Sequence, residues 1–277
     1  MSRERRARCT PHPSLFLKAH TRDRHAPPPF FPGRQLLREL QEAIAALRSE
    51  TTTRAVVVRS AVPGAFCAGA DLRERARMTP REASSFVAEL GATLTALASL
   101  PMPTIAAVDG VALGGGAELA LACDVRVVGP GGVFAFPEAR LGIIPGAGGC
   151  ARLPRLVGPA RALDLIATSR RVGPAEAVAL GLANYEATGE DAEASTGHRG
   201  ATGAADARAL ALARSIAGAA PLALRAAKAA VVGGAGLDMA GALALEAASY
   251  ATLLGTRDRL EGLAAFAQKR APVWRGE

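Results

Sequence analysis

The chain has 277 residues, enough for one large domain or for a domain with an appendage, and it can bury a substantial core. Residues 1–34 contribute +6 of the formal charge of +8, because eight basic residues there face two acidic ones. The remaining chain is close to neutral, which argues against a nucleic-acid-binding body, and no apolar run is long enough to span a membrane.

The first 33 residues combine arginine, histidine and proline without any period. This composition is typical of a disordered or processing segment, and its arginines leave a mitochondrial presequence open. The leucine and isoleucine spacing then predicts an amphipathic helix over 35–47, and the apolar run 55–58 predicts a strand buried in a parallel sheet. Thr79 and Pro80 are suited to cap and begin a helix that continues through Leu97.

Strands and helices then alternate, which favours an α/β architecture with parallel pairing. We expect strands at 104–108, 125–128 and 133–136, and helices at 115–122, 159–168 and 174–180. Residues 186–203 are polar and aperiodic and predict an exposed loop. Beyond residue 204 the pattern predicts three or four helices that end near Arg270, with Pro272 as the stop.

Three consecutive glycines precede the helix that carries Glu118. The N-terminus of a helix stabilises developing negative charge, and glycine lets a ligand approach the backbone closely. Glu118 lies three residues beyond Gly115, so both share one face of the first turn. One stretch would therefore offer an anion-binding N–H and a carboxylate. The alternative is an ordinary glycine turn with a glutamate favoured by the helix dipole.

Glu138 follows Pro137 and precedes a second glycine-rich turn. A Pro-Glu pair commonly begins a solvent-exposed helix, which is the alternative interpretation. The apolar FAF and LGII stretches on either side favour partial burial instead. Burial raises the pKa of a carboxyl group, which is useful in a proton donor.

The four cysteines are widely spaced and form no C-x-x-C pair, so we expect a reduced intracellular compartment and no zinc site. Cys67 follows a short apolar strand, at the bend in FCAGADL, but no histidine in the body is placed to activate it as a nucleophile. We interpret it as a small buried residue. Asp124 and Arg126 are predicted to form a structural pair.

Four segments in order resemble blocks of the crotonase, or enoyl-CoA hydratase/isomerase, superfamily: FCAGADLRERARM, AAVDGVALGGGAELALACDVRV, PEARLGIIPGAGGCARLPRLVG and TRDRLEGLAAFAQKRAPVWRG. The resemblance covers residue 35 to the C-terminus and is strongest to mitochondrial members, among them an AU-binding hydratase. It implies a crotonase-like (ClpP/crotonase) α/β spiral of β-β-α repeats with a C-terminal helical trimerisation region. The implied division is a divergent segment at 1–33, a core at 34–203 and an oligomerisation region at 204–277.

The resemblance also implies a site. The backbone N–H groups of Ala70 and Gly115 would form an oxyanion hole for a thioester carbonyl. Coenzyme A, as part of the substrate, would lie along four residues, namely Ala68, Asp71, Leu72 and Arg73. The acyl pocket wall would come partly from residues 75–97 and partly from a neighbouring subunit.

The two glutamates of hydratases in this family correspond to Glu118 and Glu138. Their presence implies water addition to an acyl-CoA thioester in fatty-acid or branched-chain amino-acid catabolism. The implied reaction needs no metal and no cofactor beyond the coenzyme A of the substrate. The resemblance also implies a homotrimer or a dimer of trimers that does not associate with a membrane. The implied location is the mitochondrial matrix, with the cytoplasm as the alternative.

Residues 1–34 show neither the β-hairpin nor the N-R-P-x-x-x-N-A-L-like segment of the family. This departure could come from a splice form or from an incorrect N-terminal gene model. We expect the missing segment to affect the stability and the activity of the protein. A catalytically inactive scaffold is therefore one alternative function. A second is binding of AU-rich RNA, which the balanced charges of residues 36–54 disfavour.

Overall fold

The strands build two parallel sheets. The computed structural model describes residues 34–194 and 203–277. In this part of the chain the strands are β1 (Val56–Arg59), β2 (Ala65–Cys67), β3 (Thr104–Val108), β4 (Val111–Leu113), β5 (Val125–Val128), β6 (Val133–Ala135) and β7 (Tyr185–Glu186).

Successive strands enter the two sheets alternately. The odd-numbered strands form a four-stranded sheet in the order β1-β3-β5-β7, and the even-numbered strands form a three-stranded sheet in the order β2-β4-β6. All pairings between these strands are parallel. Each pair of strands therefore extends both sheets by one strand, and the chain winds as a spiral. The predicted spiral of β-β-α repeats is confirmed.

Helices cover the sheets and form the C-terminal part. Their bounds are α1 (Arg34–Ser49), α2 (Leu72–Ala76), α3 (Pro80–Ala98), α4 (Gly115–Leu121), α5 (Gly149–Val157), α6 (Pro159–Thr168), α7 (Pro174–Ala179), α8 (Gly189–Ala194), α9 (Ala204–Ala217), α10 (Pro221–Gly234), α11 (Met239–Ala251) and α12 (Arg257–Ala267). A 3-10 helix spans Pro137–Leu141. As predicted, Thr79 caps α3, and its side chain and that of Glu82 form a reciprocal capping box.

The main core lies between the sheets and α1, α3 and α4. Leu37, Leu40 and Ile44 on one face of α1 are buried there, as their spacing predicts. A second, smaller core lies on the four-stranded sheet, where Val57 and Ile105 pack with alanines of α9. The first helix beyond residue 204 is therefore part of the layer that covers the sheet.

A polar cluster attaches α10 to the core. Lys228 donates to the carboxylate of Asp124 at 2.7 Å and to the carbonyl of Met102 at 3.0 Å. Asp124 also accepts from the backbone N–H of Thr104. The prediction of an Asp124–Arg126 pair was wrong, because Arg126 instead donates to backbone carbonyls while Asp124 binds Lys228. Both side chains are structural, but their partners come from distant segments.

The predicted loop over 186–203 was also wrong in part. Residue 186 ends β7, and α8 occupies Gly189–Ala194. Asp191 caps this segment by accepting from the backbone N–H of Thr188 at 2.8 Å. Residues 195–202 of the predicted loop, and the N-terminal segment 1–33, lie outside the described residues.

No single one of the described helices is both long and apolar enough to cross a bilayer. The pair α9 and α10, bent by 110°, meets the length and composition criteria only when taken together.

Candidate active site

The carboxyl ends of the three-stranded sheet open on one cavity. Residues 68–71 follow β2, Gly114 and Gly115 follow β4, and the 3-10 helix carrying Glu138 follows β6. All three segments line a cavity of about 450 Å³. Because the strands are parallel, their carboxyl ends lie at the same edge, which brings together residues far apart in sequence. The opposite wall is apolar and includes Val87, Leu90 and Ile144.

Glu118 lies in the first turn of α4 and is 3% exposed. Its Oε1 accepts hydrogen bonds from the backbone N–H groups of Ala147 and Gly149, both at 2.8 Å. Burial raises the pKa of Glu118, while the two N–H donors and the nearby charges of Arg152 and Arg75 oppose that increase. The N–H donors favour the ionised form, because a carboxylate oxygen accepts a hydrogen bond more strongly than an oxygen of the protonated group.

Glu138 faces the same cavity in a different environment. It is 8% exposed, and its Oε2 has no hydrogen-bond partner among the described residues. Burial raises its pKa to about 7, its own backbone N–H opposes this, and the negative charge of Glu118 adds to the increase. With a pKa of about 7, this carboxyl group is protonated in a substantial share of the molecules at neutral pH, where it can donate a proton to a bound molecule.

The backbone bends lie beside these carboxyl groups. Gly114 adopts a left-handed φ of 51° at the start of α4, and its N–H donates to the carbonyl of Ala135 at 2.9 Å. The positive φ favours glycine at this position, and a Cβ there would lie 3.0 Å from Oε1 of Glu138 and so crowd that carboxyl group. Gly115 is the first residue of α4, and its N–H has no acceptor within the helix.

The structure brings most of the predicted site residues together. Ala68, Ala70, Asp71 and Gly115 all line the cavity with the two glutamates. Leu72 and Arg73 belong to α2, but their side chains lie outside the part of the chain that the structure describes. The backbone of residues 68–73 therefore continues from the segment after β2 into α2, beside the cavity.

Sequence reasoning missed the groups that hold Glu118. The turn containing Ala147 and Gly149 was read only as a neighbour of Glu138, yet its N–H groups bind Glu118. The one signal in the sequence was the glycine at position 149. The structure gives the reason for it, because a Cβ there would lie 2.6 Å from Pro145 and 3.0 Å from the Glu118 carboxylate. The positions of Arg75 and Arg152 near Glu118 gave no signal in the local pattern.

Cys67 has no catalytic environment. It is buried, and burial raises its pKa to about 12, far from the value that a thiolate nucleophile needs. Its interpretation as a small buried residue is consistent with its place in the main core. Among the described residues, no group of three or more His, Cys, Asp or Glu side chains is placed to hold a metal ion.

The two alternative functions gain no support. The helix proposed for RNA binding buries its apolar face in the core, and Arg54 beyond it donates to the carbonyls of Ala217 and Trp274. A scaffold that had lost the thioester site would not require a cavity lined by both buried glutamates.

Comparisons with known proteins show the family of this chain. The family model for enoyl-CoA hydratase/isomerase matches residues 33–277. Mitochondrial methylglutaconyl-CoA hydratase of Rattus norvegicus is 45% identical over 245 residues, which cover 88% of this chain and 75% of that protein. Mitochondrial enoyl-CoA hydratase domain-containing protein 2 of Bos taurus is 47% identical over 245 residues, covering 88% of this chain and 80% of that protein.

A solved structure gives the same result for the fold. The crystal structure of an enoyl-CoA hydratase from Bacillus anthracis superposes with a TM-score of 0.81 at 40% identity, covering 89% of this chain and 90% of that one. The family model matches nearly the whole chain, and these relatives are 40% to 47% identical to it. The chain belongs to the enoyl-CoA hydratase/isomerase family.

Proposed function

We propose that this protein is an enoyl-CoA hydratase that adds water across the 2,3 double bond of an acyl-CoA thioester. The observation that carries the proposal is the pair of buried glutamates on one cavity. One is held by two N–H donors, and the other has an oxygen without a hydrogen-bond partner among the described residues. Hydration needs a base for water and an acid for carbon. These two environments favour the ionised form of one carboxyl group and the protonated form of the other.

The proposed reaction begins with polarisation of the thioester. The N–H groups of Ala70 and Gly115 bind the carbonyl oxygen and stabilise the negative charge that develops on it. Glu118 orients a water molecule and takes one of its protons as the hydroxyl group bonds to carbon 3. Glu138 donates its proton to carbon 2. Glu118 then passes the proton that it took from water to Glu138, which restores both groups. One water molecule therefore supplies the hydroxyl group on carbon 3 and, over the full cycle, the hydrogen on carbon 2 of the 3-hydroxyacyl-CoA product.

Coenzyme A enters this scheme only as part of the substrate. We place it along the bend after β2, with contacts from Ala68, Asp71, Leu72 and Arg73. Both Ala68 and Asp71 line the cavity, which supports this path. The scheme needs no metal and no redox cofactor, because water supplies both the nucleophile and the protons.

We also propose a homotrimer or a dimer of trimers. Support comes from apolar side chains on the C-terminal helices that are exposed in the single chain, namely Val231, Met239, Leu243, Tyr250, Leu263 and Phe266. Phe266 alone is 87% exposed, an unfavourable arrangement for a monomer in water. Since α9 packs on the four-stranded sheet, the oligomerisation region within 204–277 would consist mainly of α10 to α12. Sedimentation equilibrium tests this assembly, and a monomer at micromolar concentration would contradict it.

The names of the relatives include mitochondrial hydratases. We propose on that basis that this protein acts in the mitochondrial matrix, in the catabolism of fatty acids or branched-chain amino acids. Fractionation of cells that express the tagged chain tests the location, and recovery in the cytosol alone would refute it.

The decisive experiment for function is a hydration assay. Purified protein should consume crotonyl-CoA, seen as loss of absorbance from the conjugated thioester, and mass spectrometry should identify 3-hydroxybutyryl-CoA. Glu138→Gln should bind crotonyl-CoA with unchanged affinity but turn it over at least about a hundredfold more slowly. Unchanged turnover in that variant, or binding without any hydration by the wild type, would refute the proposal.

A further inference from the structure

The turn before α5 supplies both N–H groups that hold Glu118. Gly149 is the first residue of α5, and Ala147 lies two positions before it. Their N–H groups donate to the same oxygen, Oε1 of Glu118, at 2.8 Å each. These N–H groups belong to the peptide units on either side of the one that joins Ala147 to Gly148. Because each peptide unit is planar, the orientation of the middle unit restricts the directions in which both N–H groups point.

Arg152 binds this middle peptide unit. Its Nη1 donates to the carbonyl of Ala147 at 3.0 Å, and its backbone N–H donates to the carbonyl of Gly148 at 2.7 Å. A Cβ on Gly148 would overlap the guanidinium, so the glycine leaves the space that the arginine occupies. The turn is therefore bound to Glu118 through its N–H groups and to Arg152 through its carbonyl groups.

The second arm of the Arg152 guanidinium reaches α3. Its Nη2 donates to the hydroxyl of Thr95 at 3.1 Å, and that hydroxyl donates to the carbonyl of Gly91 at 2.8 Å. Gly91 itself faces the turn, because a Cβ there would lie 3.7 Å from the Cα of Ala147. The guanidinium is planar and its donors have a fixed geometry, so the two bonds restrict the position of the turn relative to α3.

The charges around Glu118 give Arg152 a second effect on the same carboxylate. Four ionisable groups influence or respond to its charge: Arg75 of α2, Glu138 of the 3-10 helix, and Cys150 and Arg152 of α5. Burial raises the pKa of Glu118, and the two N–H donors oppose this most, followed by the charges of Arg152 and Arg75. Arg152 thus favours the ionised form both by its charge and by holding the N–H donors.

We propose that Arg152 is a positioning residue for the base of the hydration reaction. By holding the carbonyl of Ala147, it keeps the N–H groups of the turn directed at Glu118 and so keeps that carboxylate fixed at the cavity. This inference rests on the proposed hydratase function, in which Glu118 takes a proton from water. Arg152 is not among the described residues that line the cavity, so it acts through the turn and not on the substrate. The competing role is structural, in which Arg152 merely fastens α5 to α3.

A pH–rate profile separates the two roles. Arg152→Met keeps the length of the side chain and removes its charge and its donors. We expect kcat for crotonyl-CoA to fall about tenfold or more, because the base is no longer held in place. The fall of kcat/KM at low pH, where Glu118 becomes protonated, should move to higher pH, because both influences that oppose burial are weakened. Affinity for butyryl-CoA, which has no double bond to hydrate, should not change.

Two further variants complete the comparison. Arg152→Lys keeps the charge and one donor and should recover part of kcat and part of the pH profile. Arg155→Met is the matched control, because Arg155 is exposed on the same helix and donates to the carbonyl of Ala151 within it. This control should have the kcat and the pH profile of the wild type.

Loss of stability in Arg152→Met with an unmoved acidic decline would assign Arg152 the structural role and overturn the proposal. If Arg152→Met fails to fold, Thr95→Val decides. This variant removes the acceptor of one guanidinium arm at an exposed position and should move the acidic decline in the same direction, by less. An unmoved decline in Thr95→Val would then contradict the proposal.

A direct titration separates this inference from a failure of the hydratase proposal. Carbon-13 NMR of protein labelled at the glutamate carboxyl groups reports the protonation of Glu118, whose signal is the one lost in Glu118→Gln. A higher pKa of Glu118 in Arg152→Met than in the wild type supports the positioning role even if crotonyl-CoA is not hydrated. The same pKa in both proteins contradicts it.

Discussion

Glu118 accepts a hydrogen bond from the backbone N–H of Gly149 at 2.8 Å, across 31 positions of the sequence. The same oxygen accepts from Ala147, whereas Oε2 of Glu138 accepts from no described residue. Two carboxyl groups on one cavity thus differ in their hydrogen bonding. Burial raises the pKa of both groups, but only the increase at Glu118 is opposed by two backbone N–H donors from a distant turn.

The rate of hydration should depend on pH through Glu138. Burial and the charge of Glu118 raise its pKa to about 7, and a general acid must be protonated to act. We therefore expect kcat/KM for crotonyl-CoA to fall as the pH rises through about 7. At low pH, kcat/KM should fall as well, because a protonated Glu118 cannot take a proton from water. The two carboxyl groups should titrate as a coupled pair. Rates measured between pH 5 and 9 should show the alkaline decline in the wild type and lack it in Glu138→Gln.

The same substitution should stabilise the protein. The folded-state pKa of Glu138, about 7, lies above its ordinary value of 4.5, so the folded state binds more protons than the unfolded state between these values. This group therefore lowers stability as the pH rises from about 4.5 to about 7, and the penalty is complete above 7. Glu138→Gln should raise the free energy of unfolding by about 2 kcal/mol at pH 8 and by much less at pH 4.5.

Urea denaturation at the two pH values measures this difference. Glu42→Gln, on the exposed face of α1, is the matched control and should show no such pH dependence. Equal effects of Glu138→Gln at both pH values would mean that the carboxyl group of Glu138 is not destabilised by burial.

Adjacent glycines at the start of α4 should respond differently to alanine. A Cβ on Gly116 would lie 2.0 Å from the carbonyl oxygen of Cys67, whereas one on Gly115 would meet only a methyl group of Leu90 at 3.9 Å. Gly116→Ala should cost about 2 kcal/mol or more of stability, because backbone must move. Gly115→Ala should fold normally but lose about tenfold or more in kcat/KM, since its methyl group would crowd the thioester beside the proposed oxyanion donor.

Thermal unfolding and the crotonyl-CoA assay together measure these two effects. If Gly115→Ala were the less stable variant, or if it kept full activity, the assignment of the two glycines to ligand approach and to packing would be wrong.

The ion pair between Asp124 and Lys228 should matter more than exposed pairs. The side chain of Lys228 is 8% exposed, and its removal would leave Asp124 without its cation. Lys228→Met should therefore lower the free energy of unfolding by about 2–4 kcal/mol and loosen α10. Arg170→Met breaks exposed pairs with Asp164 and Glu176 and should have a much smaller effect. Chemical denaturation and hydrogen exchange in α10 check this, and similar losses in both variants would count against a special role for the cluster.

Local sequence patterns predicted those helices and strands whose apolar residues repeat with the spacing of a helix or a strand. The spacing of Leu37, Leu40 and Ile44 was sufficient for α1, and Thr79 with Pro80 was sufficient for the start of α3. The helix pattern beyond residue 204 also predicted the C-terminal part, where four helices are described. The short strands β4 and β7 were missed, because three or two residues carry no periodic signal and are stabilised by pairing with other strands.

The candidate site divides in the same way. The sequence alone determined the strand-to-glycine bends, the carboxyl groups that follow them and the family to which they belong, because these features reside in contiguous segments. Only the tertiary structure decided that the turn at Gly149 holds Glu118, that Oε2 of Glu138 has no partner among the described residues, and that Arg75 lies against Phe86. Those relationships join residues brought together by parallel strand pairing, and hydrogen bonds and burial across such distances depend on the packed fold rather than on any local pattern.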